Sequence, residues 1–200
     1  MKIYKYKNKQ DYIQSQINGI YSHPTVKDNV NYEWAEKKDF IFINKVILKD
    51  FFYDQNLKPQ NGVCHGAKLG KENQWFEEVT GINFIGTDIV METNEEMKLI
   101  NWDFHNLKKE WKSYFDVVYS NALDHARDPV LALTNWKKSL SERGICILEH
   151  TKFHEESTPT DPFGATLEEY EEMLKTIDVN LIKIYSTNLK HNKKFIVFKQ

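Results

Sequence analysis

Residues 62–72 read Gly-Val-Cys-His-Gly-Ala-Lys-Leu-Gly-Lys-Glu, and they are the most informative part of the sequence for predicting the fold. The pattern predicts the end of a buried strand, a tight turn with glycines at 66 and 70, and the start of a helix. Glycines in such a turn adopt positive φ and let a ligand approach the backbone, because no Cβ is in the way. The N-terminal N–H groups of the following helix point at the same place. An ordinary glycine turn of an α/β domain, without a ligand, has the same pattern. The rest of the sequence must therefore distinguish a ligand-binding turn from a purely structural one.

The sequence after this stretch alternates between strand and helix patterns, which predicts an α/β fold with a mostly parallel sheet and right-handed crossovers. Apolar runs predict strands at 83–88, 99–102, 115–120 and 145–148, and a closing antiparallel hairpin from 181–185 and 195–198. Asp128 followed by Pro129 predicts a helix start, with the aspartate as N-cap and the proline at the first helical position. Thr166 and Glu169 have the spacing of a capping box and predict a second helix start.

The chain is expected to be a single domain, 1–200, with a helical cover segment at 1–58 and a cofactor-binding body at 59–200. Ile13, Ile17 and Ile20 have helical spacing within the cover segment, and a richer apolar run from Phe40 to Phe52 does too. We expect these N-terminal helices to cover one face or one end of the body. Packing is the favoured role of their aromatic side chains, and lining of a substrate pocket is the alternative.

Composition excludes several classes of function. The formal net charge of −2 provides no basic field that would hold nucleic acid, so we expect no nucleic-acid partner. No apolar run approaches the ~20 residues of a membrane span, and we expect no membrane partner. Cys64 and Cys146 are the only cysteines, and both lie in apolar strand-like runs where a buried thiol is the plain interpretation. A cytoplasmic protein is therefore expected, and its oligomeric state is left open.

Polar residues follow the predicted strands at the places where ligands bind in parallel sheets, the carboxyl ends near the switch point. They form four loops, at 66–70, 88, 103–105 and 121–125. Singly, each acidic residue is also a common turn former or helix cap. Together, at successive strand ends, they favour a binding site.

This series resembles the class I S-adenosylmethionine-dependent methyltransferases, and in particular the type 11-like members, over residues 59–200. The resemblance rests on the glycine turn, on Gly86-Thr87-Asp88, on Trp102-Asp103-Phe104-His105, and on the run from Phe115 to His125. It implies a Rossmann-like methyltransferase fold, in which a doubly wound, mostly parallel seven-stranded sheet ends in an antiparallel hairpin. It also implies S-adenosyl-L-methionine as the cofactor.

The resemblance assigns the cofactor-binding roles. Asp88 would accept hydrogen bonds from both ribose hydroxyls, since a carboxylate has only acceptors and can engage a vicinal diol. Asp103 would accept from the adenine amino group, Ile89 would pack on the adenine face, and Asn121 would lie near the methyl donor. The full set of implied cofactor-binding residues is Cys64, His65, Gly66, Ala67, Lys68, Gly70, Asp88, Ile89, Trp102, Asp103, Phe104 and Asn121.

The chain departs from the family pattern in two places. The usual first loop is acid-x-Gly-x-Gly-x-Gly, and here Cys64 takes the place of the acid and Lys68 that of the middle glycine. Lys68 either points to solvent or meets the carboxylate of the cofactor. The spacing between Asp88 and Asp103 is short, so we expect a turn or a stunted helix at 91–97 in place of a full crossover helix.

Methyl transfer requires placement of the acceptor opposite the leaving sulfur and, for some acceptors, removal of a proton. His125, Asp124 and His150 are the predicted catalytic residues, with His125 as the proton acceptor, and no metal ion is expected. The acceptor is expected to be a small molecule or sugar-like, methylated at oxygen or nitrogen. The absence of an Asn/Asp-Pro-Pro-Tyr/Phe sequence after the fourth strand argues against amino methylation of DNA bases.

Two other functions stay open from the sequence. One is a non-catalytic methyltransferase-fold protein that binds S-adenosylmethionine or a nucleoside-like ligand, and the altered first loop is the reason to retain it. The other is a nicotinamide-dependent oxidoreductase, which is weaker because the Gly-x-Gly-x-x-Gly fingerprint is absent. The identity of the acceptor is not encoded in any motif.

Overall fold

The structure is a computed structural model that describes residues 1–22, 30–187 and 193–200. For residues 20–22, 30–36 and 182 it describes the backbone only, so the expected packing of the Ile20 side chain lies outside the described part. No helix within these ranges is both long and apolar enough to cross a membrane.

The described part of the chain contains nine strands in two sheets. The strands are β1 (Lys2–Ile3), β2 (Asn61–His65), β3 (Asn83–Asp88), β4 (Leu99–Asn101), β5 (Phe115–Ser120), β6 (Leu140–His150), β7 (Phe163–Gly164), β8 (Asn180–Ser186) and β9 (Lys194–Lys199). Seven of them form the main sheet in the order β4-β3-β2-β5-β6-β9-β8. β9 is antiparallel to both of its neighbours, and the other neighbouring strands are parallel. The predicted α/β class, the mostly parallel sheet and the closing hairpin are confirmed.

Five α-helices in the described ranges connect or cover the strands. They are α1 (Lys9–Ser22), α2 (Val30–Phe51), α3 (Lys71–Thr80), α4 (Pro129–Ser139) and α5 (Leu167–Thr176). The Asp128 side chain accepts from the N–H of Leu131 at 3.0 Å and caps α4, and Thr166 with Glu169 forms a complete capping box at α5. These two helix starts are as predicted, because capping is a local interaction within four residues.

The main sheet is buried on both faces. On one face Phe40 and Ile47 of α2 pack with Phe76 of α3, and on the other Trp136 of α4 packs with Met173 of α5. Each such side chain contributes about 1.5–3 kcal/mol when it is removed from water. Phe40 and Phe51 of α2 therefore serve packing, the favoured interpretation from the sequence, whereas Phe42 of the same helix is exposed.

The N-terminal helix α1 takes a different place, at the carboxyl edge of the sheet. β1 pairs antiparallel with β7, with Lys2 opposite Gly164, and so ties the start of the chain to the loop after β6. Tyr12 of α1 is 1% exposed, and its hydroxyl donates to the carbonyl oxygen of His125 at 3.1 Å. This part of the cover segment therefore reaches the loops that the sequence analysis selected.

The expected shortening between β3 and β4 is also present. Residues 91–97 contain no helical turn, and two backbone hydrogen bonds of 2.8 Å between Asn94 and Leu99 close a compact turn. β2 lies between β3 and β5, so the strand order reverses at β2. The carboxyl ends of these strands form the switch point where the binding loops meet.

Candidate functional site

A cavity of about 350 Å³ lies at this switch point, between the carboxyl ends of the central strands and the helix α1. Eight of the residues that the sequence analysis selected line it: Gly66, Lys68, Asp88, Ile89, Phe104, Asn121, Asp124 and His125. Seven further residues complete the lining: Tyr12, Gln16, Gly19, Glu72, Val90, Ala122 and His154. The residues that were predicted at the carboxyl ends of different strands therefore line one common cavity.

The glycine turn forms one wall of the cavity and is bonded to the end of β3. The N–H groups of Gly66 and Ala67 both donate to the carbonyl oxygen of Thr87, at 2.8 and 2.9 Å. Gly66 has φ +72°, and a Cβ at this position would lie 2.4 Å from the Cβ of Ala122. Lys68 takes φ +46°, a region that glycine enters without strain, which explains the glycine usual at this position of the pattern.

Asp88 joins the glycine turn to the loop after β3. Its Oδ2 accepts from the N–H of Lys68 at 3.1 Å, and its Oδ1 accepts from Val90 at 2.8 Å and from Met91 at 3.2 Å. A carboxylate has about four acceptor sites. Three are used by the backbone, so Asp88 holds both loops and retains acceptor capacity for a ligand.

The acid missing from the first loop has a counterpart elsewhere in the cavity. Cys64 is 1% exposed and packs in the core beside α3, and burial raises the pKa of its thiol. Glu72, in the first turn of α3, lines the cavity, and Asn121 Nδ2 donates to its Oε1 at 3.4 Å. The carboxylate on this side of the cavity therefore comes from Glu72 of α3. It lies eight residues after Cys64, the position at which the family pattern has an acid.

Asp103 is engaged by partners within the chain. His105 Nδ1 lies 2.6 Å from its Oδ1, and Lys9 Nζ and Arg127 Nη2 lie 2.9 and 3.3 Å from its Oδ2. Burial opposes its ionisation, but the hydrogen bonds from His105 and Lys9 outweigh burial and hold the pKa of Asp103 well below its usual range. Asp103 does not line the cavity, whereas its neighbour Phe104 does.

Six other selected residues also lie outside the cavity lining: Cys64, His65, Ala67, Gly70, Trp102 and His150. The His65 ring stacks on Trp136 with centroids 4.9 Å apart, and burial lowers the pKa of His65 to about 3. Trp102 packs against Trp111. His150 bonds the carbonyl oxygen of Ala165 through Nε2 at 3.0 Å, and burial lowers its pKa. The side chains of His65 and His150, at the ends of β2 and β6, are buried against α4 and α5.

His125 is held by α1 and by the loop after β6. Its Nδ1 lies 3.0 Å from Gln16 Oε1, 3.0 Å from the carbonyl oxygen of Thr160 and 3.6 Å from Asp161 Oδ1. All three are acceptors, so Nδ1 carries the proton of the neutral ring and Nε2 keeps its lone pair. Gln16 Nε2 donates to the same carbonyl of Thr160 at 3.0 Å, which fixes the orientation of the amide.

Asp124 lies beside His125 and is 8% exposed. Its Oδ1 has no hydrogen-bond partner in the described structure, and its Oδ2 lies 3.9 Å from His154 Nε2. Asp124, His125 and Asp161 each place one oxygen or nitrogen atom within 4.8 Å of the others. We call these three residues the acidic pole of the cavity.

Gln16, Tyr12 and Glu72 line the cavity but were not selected as site residues from the sequence. Glu72 stands in the quoted stretch, and its place in the first helical turn after the glycine loop was a signal that could have found it. Gln16 and Tyr12 carried no signal, because the residues they bond are more than a hundred positions away in the sequence.

Comparison with solved structures identifies the fold, whereas no family model and no curated protein matches the chain. The 1,6-didemethyltoxoflavin N1-methyltransferase of Burkholderia thailandensis, solved with 1,6-didemethyltoxoflavin and S-adenosylhomocysteine, is 13% identical with a TM-score of 0.71 over 98% of this chain and 92% of its own. The plantazolicin methyltransferase BpumL, solved with S-adenosylhomocysteine, is 12% identical with a TM-score of 0.62 over 95% of each chain.

A TehB-like S-adenosylmethionine-dependent methyltransferase from Corynebacterium glutamicum is 14% identical, with a TM-score of 0.57 over 96% of this chain and 100% of its own. At such identities the likeness shows the fold and not the activity. The chain has the fold of the S-adenosylmethionine-dependent methyltransferases, as the resemblance in its sequence implied.

Proposed function

We propose that this chain is a methyltransferase that uses S-adenosyl-L-methionine and transfers the methyl group to an oxygen or nitrogen of a small-molecule or sugar-like acceptor. One observation carries the proposal. In a methyltransferase fold, the cavity at the switch point contains a strand-end carboxylate, Asp88, and a histidine with an available lone pair, His125. The two neighbours solved with S-adenosylhomocysteine support this choice of cofactor.

The residues of the cavity fit this cofactor. Gly66 lines the cavity, and its backbone packs so closely on Ala122 that a Cβ there would lie 2.4 Å from the Ala122 Cβ. Asp88 retains about one acceptor site for a ribose hydroxyl, and Ile89 and Phe104 provide apolar surface for the adenine. Glu72 and Lys68 offer one negative and one positive charge for the ammonium and carboxylate groups of the methionine part. Asp103 would contribute indirectly, because it holds in place the loop that carries Phe104.

The chemistry that the bound cofactor supplies is a methyl group on a positively charged sulfur. The protein contributes placement, exclusion of water and proton removal. His125 Nε2 accepts the proton of the acceptor, while its Nδ1–H donates to Gln16 and Thr160 and stabilises the imidazolium that forms. Asn121 follows β5 directly, lines the cavity and donates a hydrogen bond to Glu72.

The alternative function is that of a binding protein that holds S-adenosylmethionine or a nucleoside-like ligand without turnover. The observation behind it is the buried Cys64 in the position where the family has an acid. Because Glu72 supplies a carboxylate to the same cavity, we favour the enzyme.

Calorimetry with three ligands tests the proposed cofactor. We expect S-adenosylmethionine and S-adenosylhomocysteine each to bind one site and to raise the melting temperature, and NAD to do neither. The physical reason is that a ligand which binds only the folded state stabilises it by mass action. Tight binding of NAD, or no binding of S-adenosylhomocysteine, would contradict the proposal. Incubation with labelled S-adenosylmethionine and a metabolite extract then separates enzyme from binding protein by the presence of a labelled product.

Gln16 is expected to fix the tautomer of His125. In Gln16→Leu one of the two acceptors at 3.0 Å from Nδ1 is lost. A neutral hydrogen bond contributes about 0.5–1.5 kcal/mol, so the ratio of the Nδ1–H to the Nε2–H tautomer should fall about 2- to 10-fold. The ¹⁵N shifts of the His125 ring measure this ratio directly. Gln14→Leu is the matched control, because Gln14 is exposed on the same helix and bonds only Asn18 among its described side-chain contacts. An unchanged tautomer ratio in Gln16→Leu would show that Gln16 does not fix the tautomer of His125.

A further inference from the structure

We propose that the methyl acceptor is an amine, a protonated or N–H-rich nitrogen group that binds against Asp124 and His125. The inference rests on the methyl transfer proposed above and narrows its acceptor to one chemical class. It follows from the acceptors that the acidic pole presents to a ligand, from the charge around the cavity and from the proton on His125.

Asp124 is a buried carboxylate, 8% exposed. In the described part of the chain no lysine or arginine forms an ion pair with it, and its Oδ1 has no hydrogen-bond partner. A buried polar atom left unpaired destabilises the protein, and a charged one does so more strongly. Asp124 lines the cavity, so a ligand that brings a hydrogen-bond donor to its carboxylate adds a partner where the described chain offers His154 Nε2 at 3.9 Å.

Asp124 and His125 both line the cavity, and one ring nitrogen of His125 lies within 4.8 Å of an Asp124 carboxylate oxygen. The Asp124 carboxylate and the Nε2 lone pair of His125 are both acceptors. A hydroxyl has a single donor and can satisfy only one of them, whereas an ammonium group has three. The pair of acceptors therefore fits a nitrogen better than an alcohol.

The charged residues of the lining also favour a cation. The carboxylates of Asp88 and Asp124 line the described part of the cavity, against one lysine, Lys68. Asp161 adds a further carboxylate 3.6 Å behind the His125 ring. This field attracts a cation and repels an acceptor that carries a carboxylate or phosphate near its reacting atom.

A divalent metal ion is the competing occupant of the acidic pole, because its three residues are common metal ligands. The hydrogen bonds of His125 disfavour it. Nδ1, the nitrogen 3.6 Å from Asp161, points at two carbonyl oxygens at 3.0 Å and therefore carries a proton, which a metal ligand cannot. An ammonium group needs only acceptors and meets no such conflict.

The reaction balances with these residues alone and the cofactor. His125 Nε2 takes one proton from the ammonium group, and the freed lone pair forms the new N–C bond to the methyl carbon. The S–C bond breaks, and its electron pair stays on sulfur, which becomes a neutral thioether. The proton leaves from His125 to solvent, and Asp124 accepts a hydrogen bond from the nitrogen throughout.

Three probes that share one ring test the proposal: benzylamine, benzyl alcohol and benzoate, titrated by calorimetry into protein saturated with S-adenosylhomocysteine. We expect benzylamine to bind at least about tenfold tighter than benzyl alcohol, because hydrogen bonds to charged groups are about twice as strong as neutral ones. Benzoate should bind most weakly. Equal or tighter binding of benzyl alcohol or benzoate by the wild-type protein would overturn the proposal without any variant.

The variant Asp124→Asn then tests whether the preference for benzylamine depends on the Asp124 carboxylate. We expect it to weaken benzylamine binding about 10- to 100-fold and to leave S-adenosylhomocysteine binding unchanged. Asp178→Asn is the matched control, because it makes the same charge change at an exposed turn where the nearest cation is Lys137. Unchanged benzylamine affinity in Asp124→Asn would refute the contact, and a melting curve shows whether the variant folds.

Titration with Mn²⁺ under the same conditions decides between the two occupants. Binding of Mn²⁺ that is lost in Asp124→Asn would make the acidic pole a metal site and overturn the amine proposal, whereas absence of binding supports it. Affinity for S-adenosylhomocysteine is measured first and without probes. Its absence would refute the proposed function itself, whereas its presence without a preference for benzylamine would refute only the acceptor class.

Discussion

Replacing His125 by alanine is expected to lower the turnover of methyl transfer by about 10²–10⁴-fold, the usual contribution of a general base, and to leave the affinity for S-adenosylmethionine almost unchanged. The reason is geometric. Nδ1 is committed to Gln16 and Thr160, so the free lone pair is that of Nε2, on a ring that lines the cavity. Single-turnover rates and calorimetry on the same preparations measure the two quantities separately.

The matched control for this variant is His154→Ala, which removes a second imidazole from the same cavity. The Nε2 of His154 lies 3.9 Å from Asp124, so its loss should reduce turnover less than the loss of His125. If His125→Ala raises KM but keeps kcat and the pH profile of the wild type, His125 positions the acceptor and is not the base. A product formed at an unchanged rate would remove His125 from the mechanism while the enzyme remained.

Asp88→Ala is expected to lower the affinity for S-adenosylmethionine about 10- to 100-fold, because a hydrogen bond to a charged acceptor contributes about 1.5–3 kcal/mol. The structure adds a second reason. The carboxylate also accepts from the backbone N–H groups of Lys68, Val90 and Met91, so its loss releases two loops of the cavity at once. Calorimetry gives the affinity, and the melting temperature without ligand gives the effect on the loops.

Asp88→Asn separates the two contributions. The amide keeps one oxygen acceptor but loses the charge, so we expect an affinity between those of the wild type and Asp88→Ala. Asp54→Ala, at an exposed position outside the cavity, controls for the general effect of removing a carboxylate. Equal affinity for the wild type and Asp88→Ala would exclude Asp88 from the cofactor site.

Much of the architecture could be predicted because the signals that encode it are local. The caps at Asp128 and Thr166 and the apolar runs of the strands depend on residues within a few positions of one another, and the structure contains them as expected. The meeting of Gly66, Asp88 and Asn121 in one cavity was predictable for a similar reason. Parallel strands in one sheet bring their carboxyl ends to the same edge, whatever lies between them in sequence.

The direction of individual side chains was less predictable. Asp103 was expected to face a ligand, but His105, Lys9 and Arg127 surround its carboxylate. Position in a motif gives the strand end at which a residue lies, and it does not give the partners that arrive from other elements. The same holds for His65 and His150, which pack against Trp136 and Tyr170.

The sequence is sufficient to predict the class of fold, the edge of the sheet that holds the cavity, and the presence of Asp88, Asp124 and His125 there. The groups that surround these side chains follow from the packing of distant elements. Gln16 lies 109 residues before His125, and Glu72 lies 49 residues before Asn121. The periodicity of α1 shows which of its faces is apolar, but the place where a helix docks depends on the shape of the whole surface that receives it. That docking brings Gln16 to Nδ1 of His125, where it adds to the acceptor that Thr160 provides.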